Sequence, residues 1–181
     1  MLLNTERLVL RPFRPDDDLD DAYAYMSDPD VVRYLYWDVR TRDEVRAFLA
    51  ERGTHVLAIE LAAAGRVIGE VLLRRPGDEH RQGELGYVLN AAYQGKGYAR
   101  EAAQAMLRAG FEELGLHRIM ARLDSRNKPS AALLERLGMR LEGHFVHDEL
   151  FKGEWSDTLV YAMLEDEWRA LPNAASTRSA G

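Results

Sequence analysis

Six residues, Gln94-Gly95-Lys96-Gly97-Tyr98-Ala99, place two glycines and a lysine between the apolar run Gly86-Tyr87-Val88-Leu89 and a long Ala-rich helical pattern. A junction of this kind presents N–H groups that no intrahelical carbonyl takes, together with the positive end of a helix dipole. Glycines let an anion come close to the backbone, and Lys96 and Arg100 add positive charge. A phosphate-bearing ligand suits such a loop. The spacing is not a Walker loop, because Lys96 is followed by Gly97-Tyr98 and not by Ser or Thr. Nor is it a dinucleotide fingerprint, because Arg100 stands where the third glycine would be.

A second group of polar residues lies downstream. Asn127-Lys128-Pro129 reads as a helix start, with Asn127 as N-cap. Ser130 precedes Leu133, Leu134 and Leu137 by three, four and seven residues, so it falls on the inward stripe of that helix. An inward hydroxyl needs a partner, either a carbonyl one turn back or a ligand. His147-Asp148-Glu149 precedes the last expected strand and reads as a loop that carries two carboxylates. His55, His80, His117, His144 and His147 show no metal-ligand spacing, so no metal site is expected. The acidic run Asp16-Asp17-Asp18 with Asp20-Asp21 reads as a solvated helix face that favours the dipole. Trp37 and Tyr34-Leu35-Tyr36 read as core or pocket wall.

The elements that must position these residues follow from periodicity. Strands are expected at 7–13, 55–61, 66–74, 83–89, 117–123, 139–145 and 156–163. Helices are expected from Pro15, over 30–35, from the capping box Thr41-x-x-Glu44, after the glycine loop, and from Asn127 to a Gly138 C-cap. In the helix after the loop, Ala99, Ala102, Ala103, Met106, Leu107, Gly110 and Leu114 share one face. The order is β-α-α-β-β-β-α-β-α-β-β. The fourth and fifth strands, joined by a crossover helix, should run parallel. The result is an α/β (α+β) fold: a mixed, mostly antiparallel sheet flanked by helices.

With 181 residues, 46% hydrophobic and 30% charged, the chain can bury one core. We expect one globular domain over 1–170 and a small, polar, disordered tail over 171–181. There is no cysteine, which excludes disulfides, thiolate metal sites and a cysteine nucleophile. A net charge of −6 disfavours nucleic acid and favours cationic partners. The start lacks the pattern of a signal peptide, and no apolar run approaches a membrane span, so a cytoplasmic location is expected. Sheet edges and the final hairpin leave room for a homodimer.

Gln94-x-x-Gly97-x-Ala99, set between the fourth strand and the third helix in this element order, resembles the Gln/Arg-x-x-Gly-x-Gly/Ala motif of the GNAT acetyltransferase superfamily. Asn127-Lys128-Pro129-Ser130, followed by Leu137-Gly138-Met139, resembles the family's fourth helix, and Leu3-x-Thr5-Glu6-Arg7-Leu8-x-Leu10-Arg11 with Trp155-Ser156-Asp157 is similar to its ribosomal-protein N-terminal acetyltransferase branch. The resemblance covers roughly residues 2–168. It implies a splayed pair of fourth and fifth strands and acetyl-CoA as acyl donor. Its pyrophosphate would lie on Gln94, Gly95, Lys96, Gly97, Tyr98 and Ala99, and its pantetheine arm along Val88 and Leu89.

The resemblance further implies Leu89 N–H as oxyanion donor, with ordinary sheet pairing as the competing reading. Asn127 and Ser130 would contact the cofactor, and Ser130 would protonate the thiolate. The superfamily's tyrosine for that step falls on Leu134, which has no proton to give. Glu149 would be the general base. Asp148, His144, His147 or a water chain are the alternatives. The acceptor is a primary amine: a peptide N-terminus, or a small molecule such as an antibiotic or polyamine. A non-catalytic acyl-CoA sensor is the reading from another class.

Overall fold

A computed structural model of the chain describes residues 1–51, 53, 55–75 and 80–172. The expected tail thus lies outside the described residues except for 171 and 172. The order is β1 (Leu3–Asn4), β2 (Leu8–Arg11), α1 (Leu19–Met26), α2 (Pro29–Val32), α3 (Arg42–Ala50), β3 (Val56–Leu61), β4 (Arg66–Arg74), β5 (Gln82–Leu89), α4 (Tyr98–Arg108), β6 (Arg118–Asp124), α5 (Lys128–Arg136), β7 (Arg140–Phe151), β8 (Glu154–Leu164) and α6 (Glu165–Ala170). Two compact units result: Met1–Arg74 with Leu85–Met106, and Arg75–Glu84 with Leu107–Gly181.

In the first unit β1, β2, β3 and β4 form antiparallel ladders. The end of β5 continues the order beside β4. Gly86 lies against Leu72, and Asn90 N–H reaches Ile68 C=O at 2.9 Å, so these two strands also run in opposite directions. The β3–β4 register pairs Ile59 with Gly69 and Glu60 with Val67, which leaves Ile68 as a bulged residue. Helices α1 and α3 cover a cluster of Leu19, Ala22, Tyr25, Met26, Val45 and Leu49, and Val88 packs against it. Fully burying a side chain of this size stabilises the fold by about 1.5–3 kcal/mol.

The expected solvated acid face holds for Asp16, Asp17 and Asp20, which are exposed, and fails at Asp18 and Asp21. Asp18 is buried, and its carboxylate takes both ends of the buried Arg11 guanidinium at 2.7 Å. Arg11 also donates to Glu60, at 2.6 Å. Asp21 accepts from Val67 N–H at 2.9 Å and from Arg66. A buried guanidinium must be paired, and pattern alone does not show which acid lies within its reach.

In the second unit the parallel β5–β6 ladder covers Gln82–Glu84 against Arg118–Met120, while the strands run on to Leu89 and Asp124. β8 pairs antiparallel with both β6 and β7. The last hairpin is longer than periodicity suggests. Lys152 and Gly153, both at positive φ, make a two-residue turn, so β7 reaches Phe151 and β8 begins at Glu154. Helix α4 widens into a five-residue turn over Ala109–Glu113, where Leu114 N–H reaches back to Ala109 C=O. That extra residue per turn takes Leu114 off the buried face and leaves it exposed. Leu133 is half-buried where full burial was expected, while Leu134 and Leu137 are buried. β1 and α6 are additions to the expected order. α6 is anchored by Trp168, which stacks on Phe111 and donates its indole N–H to Glu112 at 2.9 Å.

Candidate functional site

In the first unit, β5 ends at Leu89, a 3-10 turn spans Ala91–Tyr93, and α4 begins at Tyr98. Gln94 closes the turn: its N–H reaches Ala91 C=O at 3.2 Å and its Nε2 donates to Leu89 C=O at 3.0 Å. The first backbone bond of α4 is Glu101 N–H to Gly97 C=O, at 3.1 Å. Among the described residues, the N–H groups of Gly95, Lys96 and Gly97 donate to no backbone carbonyl, and those of Tyr98, Ala99 and Arg100 are the orphan donors of the first helical turn. Gly97 holds φ +84°, which a residue with a side chain adopts only under strain. The arrangement is a row of donors without backbone acceptors at a helix start, suited to a diphosphate.

The peptide plane between Leu89 and Asn90 is fixed by its bond to Ile68. Because N–H and C=O oppose each other across a trans peptide, Leu89 C=O points away from β4, and in a strand the Leu89 N–H points with it. Gly69 makes this close approach feasible, since a Cβ there would sit 2.2 Å from Val88 C=O.

A brace of three residues supports the loop, and sequence reasoning gave them no such role. Glu101 accepts from Thr5 Oγ1 at 2.6 Å, from Arg7 N–H at 2.8 Å and from Arg7 Nε at 2.7 Å. Arg7 also donates to Lys96 C=O at 3.0 Å and lies over the Tyr98 ring, 4.5 Å from its centroid. Burial pushes the Glu101 carboxyl up, but the bonds from Thr5 and Arg7 outweigh it and hold it below the ordinary Glu value. No local pattern shows a contact spanning 94 positions.

The second unit holds Asn127, Ser130 and Glu149. Asn127 caps α5, its Oδ1 accepting Ser130 N–H at 3.2 Å, and Ser130 is half-buried on the first turn. Leu137, Gly138 and Met139 end the helix with two reverse bonds, Gly138 N–H to Glu135 C=O and Met139 N–H to Leu134 C=O. Glu149 is not in a loop: it is a half-buried residue of β7, opposite Ser156. Asp148 accepts from Thr158 N–H at 3.1 Å, and His144 Nε2 lies 2.8 Å from Asp157 Oδ2. Trp37 packs beside Phe48, with the Arg40 guanidinium 3.5 Å above the Phe48 ring, while Tyr36 is exposed. An open cavity of about 450 Å³ lies there, lined by Asp38, Arg40, Glu44, Phe48 and Glu51 among others.

Residues 7–140 match the family model described as "Acetyltransferase (GNAT) domain". An uncharacterized N-acetyltransferase of Bacillus subtilis, YnaD, is 37% identical over 93% of this chain and 99% of its own length. A GNAT-family acetyltransferase crystal structure from Bacillus anthracis superposes with a TM-score of 0.87 at 37% identity, covering 92% of this chain and 99% of that one. The chain belongs to the GNAT acetyltransferase family. It is an N-acetyltransferase that uses acetyl-CoA, on the mixed sheet expected of that fold. Some of the relatives have named acceptors. Spermidine N(1)-acetyltransferase of Escherichia coli is 26% identical over 89% of this chain and 88% of its own. The ribosomal protein uS5-alanine N-acetyltransferase of that species is 38% identical over 46% of this chain and 43% of its own, so likeness to that branch is partial.

Proposed function

We propose that this enzyme acetylates the α-amine of a protein or peptide N-terminus by direct attack on the thioester. The observation that carries the acyl-donor part of the reading is the row of N–H groups from Gly95 to Gly97 that, among the described residues, meet no backbone carbonyl, leading into the first turn of α4 beside a strand end whose Leu89 amide faces away from β4; the choice of acceptor rests on amine basicity. Acetyl-CoA, when bound, supplies an activated acetyl group. Gln94, Gly95, Lys96, Gly97, Tyr98 and Ala99 hold its diphosphate, and Val88 and Leu89 pair with its pantetheine arm. Leu89 N–H donates to the charge that develops on the acetyl oxygen, a role worth about 10²–10³ in rate. Glu149 takes the amine proton, directly or through one water. Asn127 and Ser130 contact the cofactor, and Ser130 returns a proton to the leaving sulfur, since Leu134 carries none.

An α-amine, with a pKa of about 7.7–8.0, is nearer neutrality than a lysine amine at about 10.4. The gap of roughly 2.5 units spares a weak carboxylate base about 3.4 kcal/mol. A polyamine acceptor is the second reading. It is favoured by the spermidine relative, whose match spans most of this chain, and by the net charge of −6.

The test is thiol release across an acceptor panel: peptides beginning Ser or Ala against spermidine and aminoglycosides. Turnover confined to the peptides supports the proposal, and turnover confined to the small amines overturns it. No turnover on any of them, with intact acetyl-CoA binding, also overturns the peptide reading. Gly97→Glu tests the loop separately. A side chain at φ +84° costs about 1–2 kcal/mol and a carboxylate enters the anion site. Calorimetry should show acetyl-CoA affinity lost while circular dichroism stays native. Unchanged affinity would remove the loop from the site.

A further inference from the structure

We infer that Asp157 is the positioning residue of the final hairpin: its carboxylate pins an outward bulge in β7 and thereby sets where Glu149 stands. The inference rests on the reading of Glu149 as base. Phe145 pairs with Thr158 and Glu149 with Ser156, so the three residues 146–148 face the single residue Asp157. Two residues are therefore in excess on β7.

Both oxygens of Asp157 serve this excess. Oδ1 accepts His147 N–H at 2.9 Å, and Oδ2 meets His144 Nε2 at 2.8 Å. His147 is held at φ +48°, a conformation that a non-glycine residue keeps only when its surroundings impose it. Asp148 turns back to accept Thr158 N–H, which closes the bulge from its other side. Asp157 C=O also accepts Ser125 N–H at 2.9 Å, in the turn that leads to Asn127. The Asp157 carboxyl sits below the ordinary Asp value, held there first by the His147 N–H and then by the His144 side chain.

Without the carboxylate the bulge loses its central acceptor, and the bend it imposes on β7 is released. The two-residue turn at Lys152-Gly153 keeps Glu149 opposite Ser156, so what changes is the bend of β7 at the bulge and with it the direction of the hairpin end that carries Glu149. This gives Trp155-Ser156-Asp157 a physical meaning: Ser156 stands opposite the proposed base, and Asp157 holds the bulge that precedes it.

The experiment compares Asp157→Ala, Asp157→Asn, Glu149→Gln and the double variants in the full chain, with kcat and KM measured on the acceptor that the panel selects. Acetyl-CoA affinity is followed in parallel. Displacing a catalytic group by about 1 Å lowers rate on the order of 10², and that loss is expected of Asp157→Ala, with acetyl-CoA affinity unchanged. Asp157→Asn keeps an acceptor for His147 N–H and should recover much of the rate. Asp157→Ala with Glu149→Gln should be no slower than Glu149→Gln alone, because both act through one group. Additive losses, or full activity in Asp157→Ala beside a slow Glu149→Gln, overturn the inference. A silent Glu149→Gln instead removes the base reading, and this inference falls with it. Should Asp157→Ala fail to fold, Asp157→Leu, of similar size and without an acceptor, gives the same comparison with and without Glu149→Gln.

Discussion

Glu101 gathers donors from Thr5 and Arg7 onto one carboxylate in the first turn of α4, next to the glycine loop. Its part in the protein is to hold Arg7 where that side chain can bind Lys96 C=O and cover Tyr98. Glu101→Ala should weaken acetyl-CoA binding about tenfold, equivalent to ~1.4 kcal/mol, and leave kcat nearly unchanged; a fall in kcat with unchanged affinity would contradict the brace. The pH dependence has a definite sign. Folded Glu101 binds its proton more weakly than the unfolded residue, whose pKa is about 4.3. Its stabilisation is therefore complete above that value and is lost as pH falls through the depressed folded value. The difference in Tm between the natural chain and Glu101→Gln should be constant from pH 7 to about pH 5 and shrink in stronger acid.

Among the elements, β4 shows how a local irregularity serves a neighbour. The bulge at Ile68 offers its C=O to Asn90 N–H, and Gly69 lets Val88 C=O come close. Gly69→Ala puts a methyl where only 2.2 Å is open, so β4 or β5 must move. Overpacking of this kind costs about 1–3 kcal/mol, and thermal melts should show a fall of several degrees together with weaker acetyl-CoA binding. A melt equal to that of the natural chain would mean that the strands separate freely.

Other elements were legible as pattern. Thr41 and Glu44 make both bonds of the expected capping box, at 2.7 and 3.4 Å. Asn127 caps α5 as read. β7 was not legible beyond Phe145, because a bulge breaks the period-2 alternation and the ladder resumes only through Asp157 and Asp148. β1 has two residues and α6 six, too few for periodicity to register.

On the scale of the whole molecule, the net charge of −6 acts on encounter with cationic acceptors and not on the fold. If spermidine is turned over at all, its KM should rise several-fold between low salt and about 0.5 M, because the Debye length falls below about 10 Å. A salt-independent KM for spermidine would show that the acidic surface does not steer it. No described helix is long and apolar enough to cross a membrane.

By itself the amino-acid order determined what local rules can carry. It determined the alternation of strands and helices, the caps, and a glycine loop whose orphan N–H groups need only a strand before them and a helix after. Tertiary structure decided the rest: which acid meets the buried Arg11, that Glu101 rather than solvent holds Arg7, and that Glu149 stands in a strand behind a pinned bulge. The reason is reach. Backbone geometry repeats over a few residues and is written in spacing, whereas a carboxylate's partner is chosen by whatever the fold brings within 3 Å, and that neighbour can lie 94 positions away.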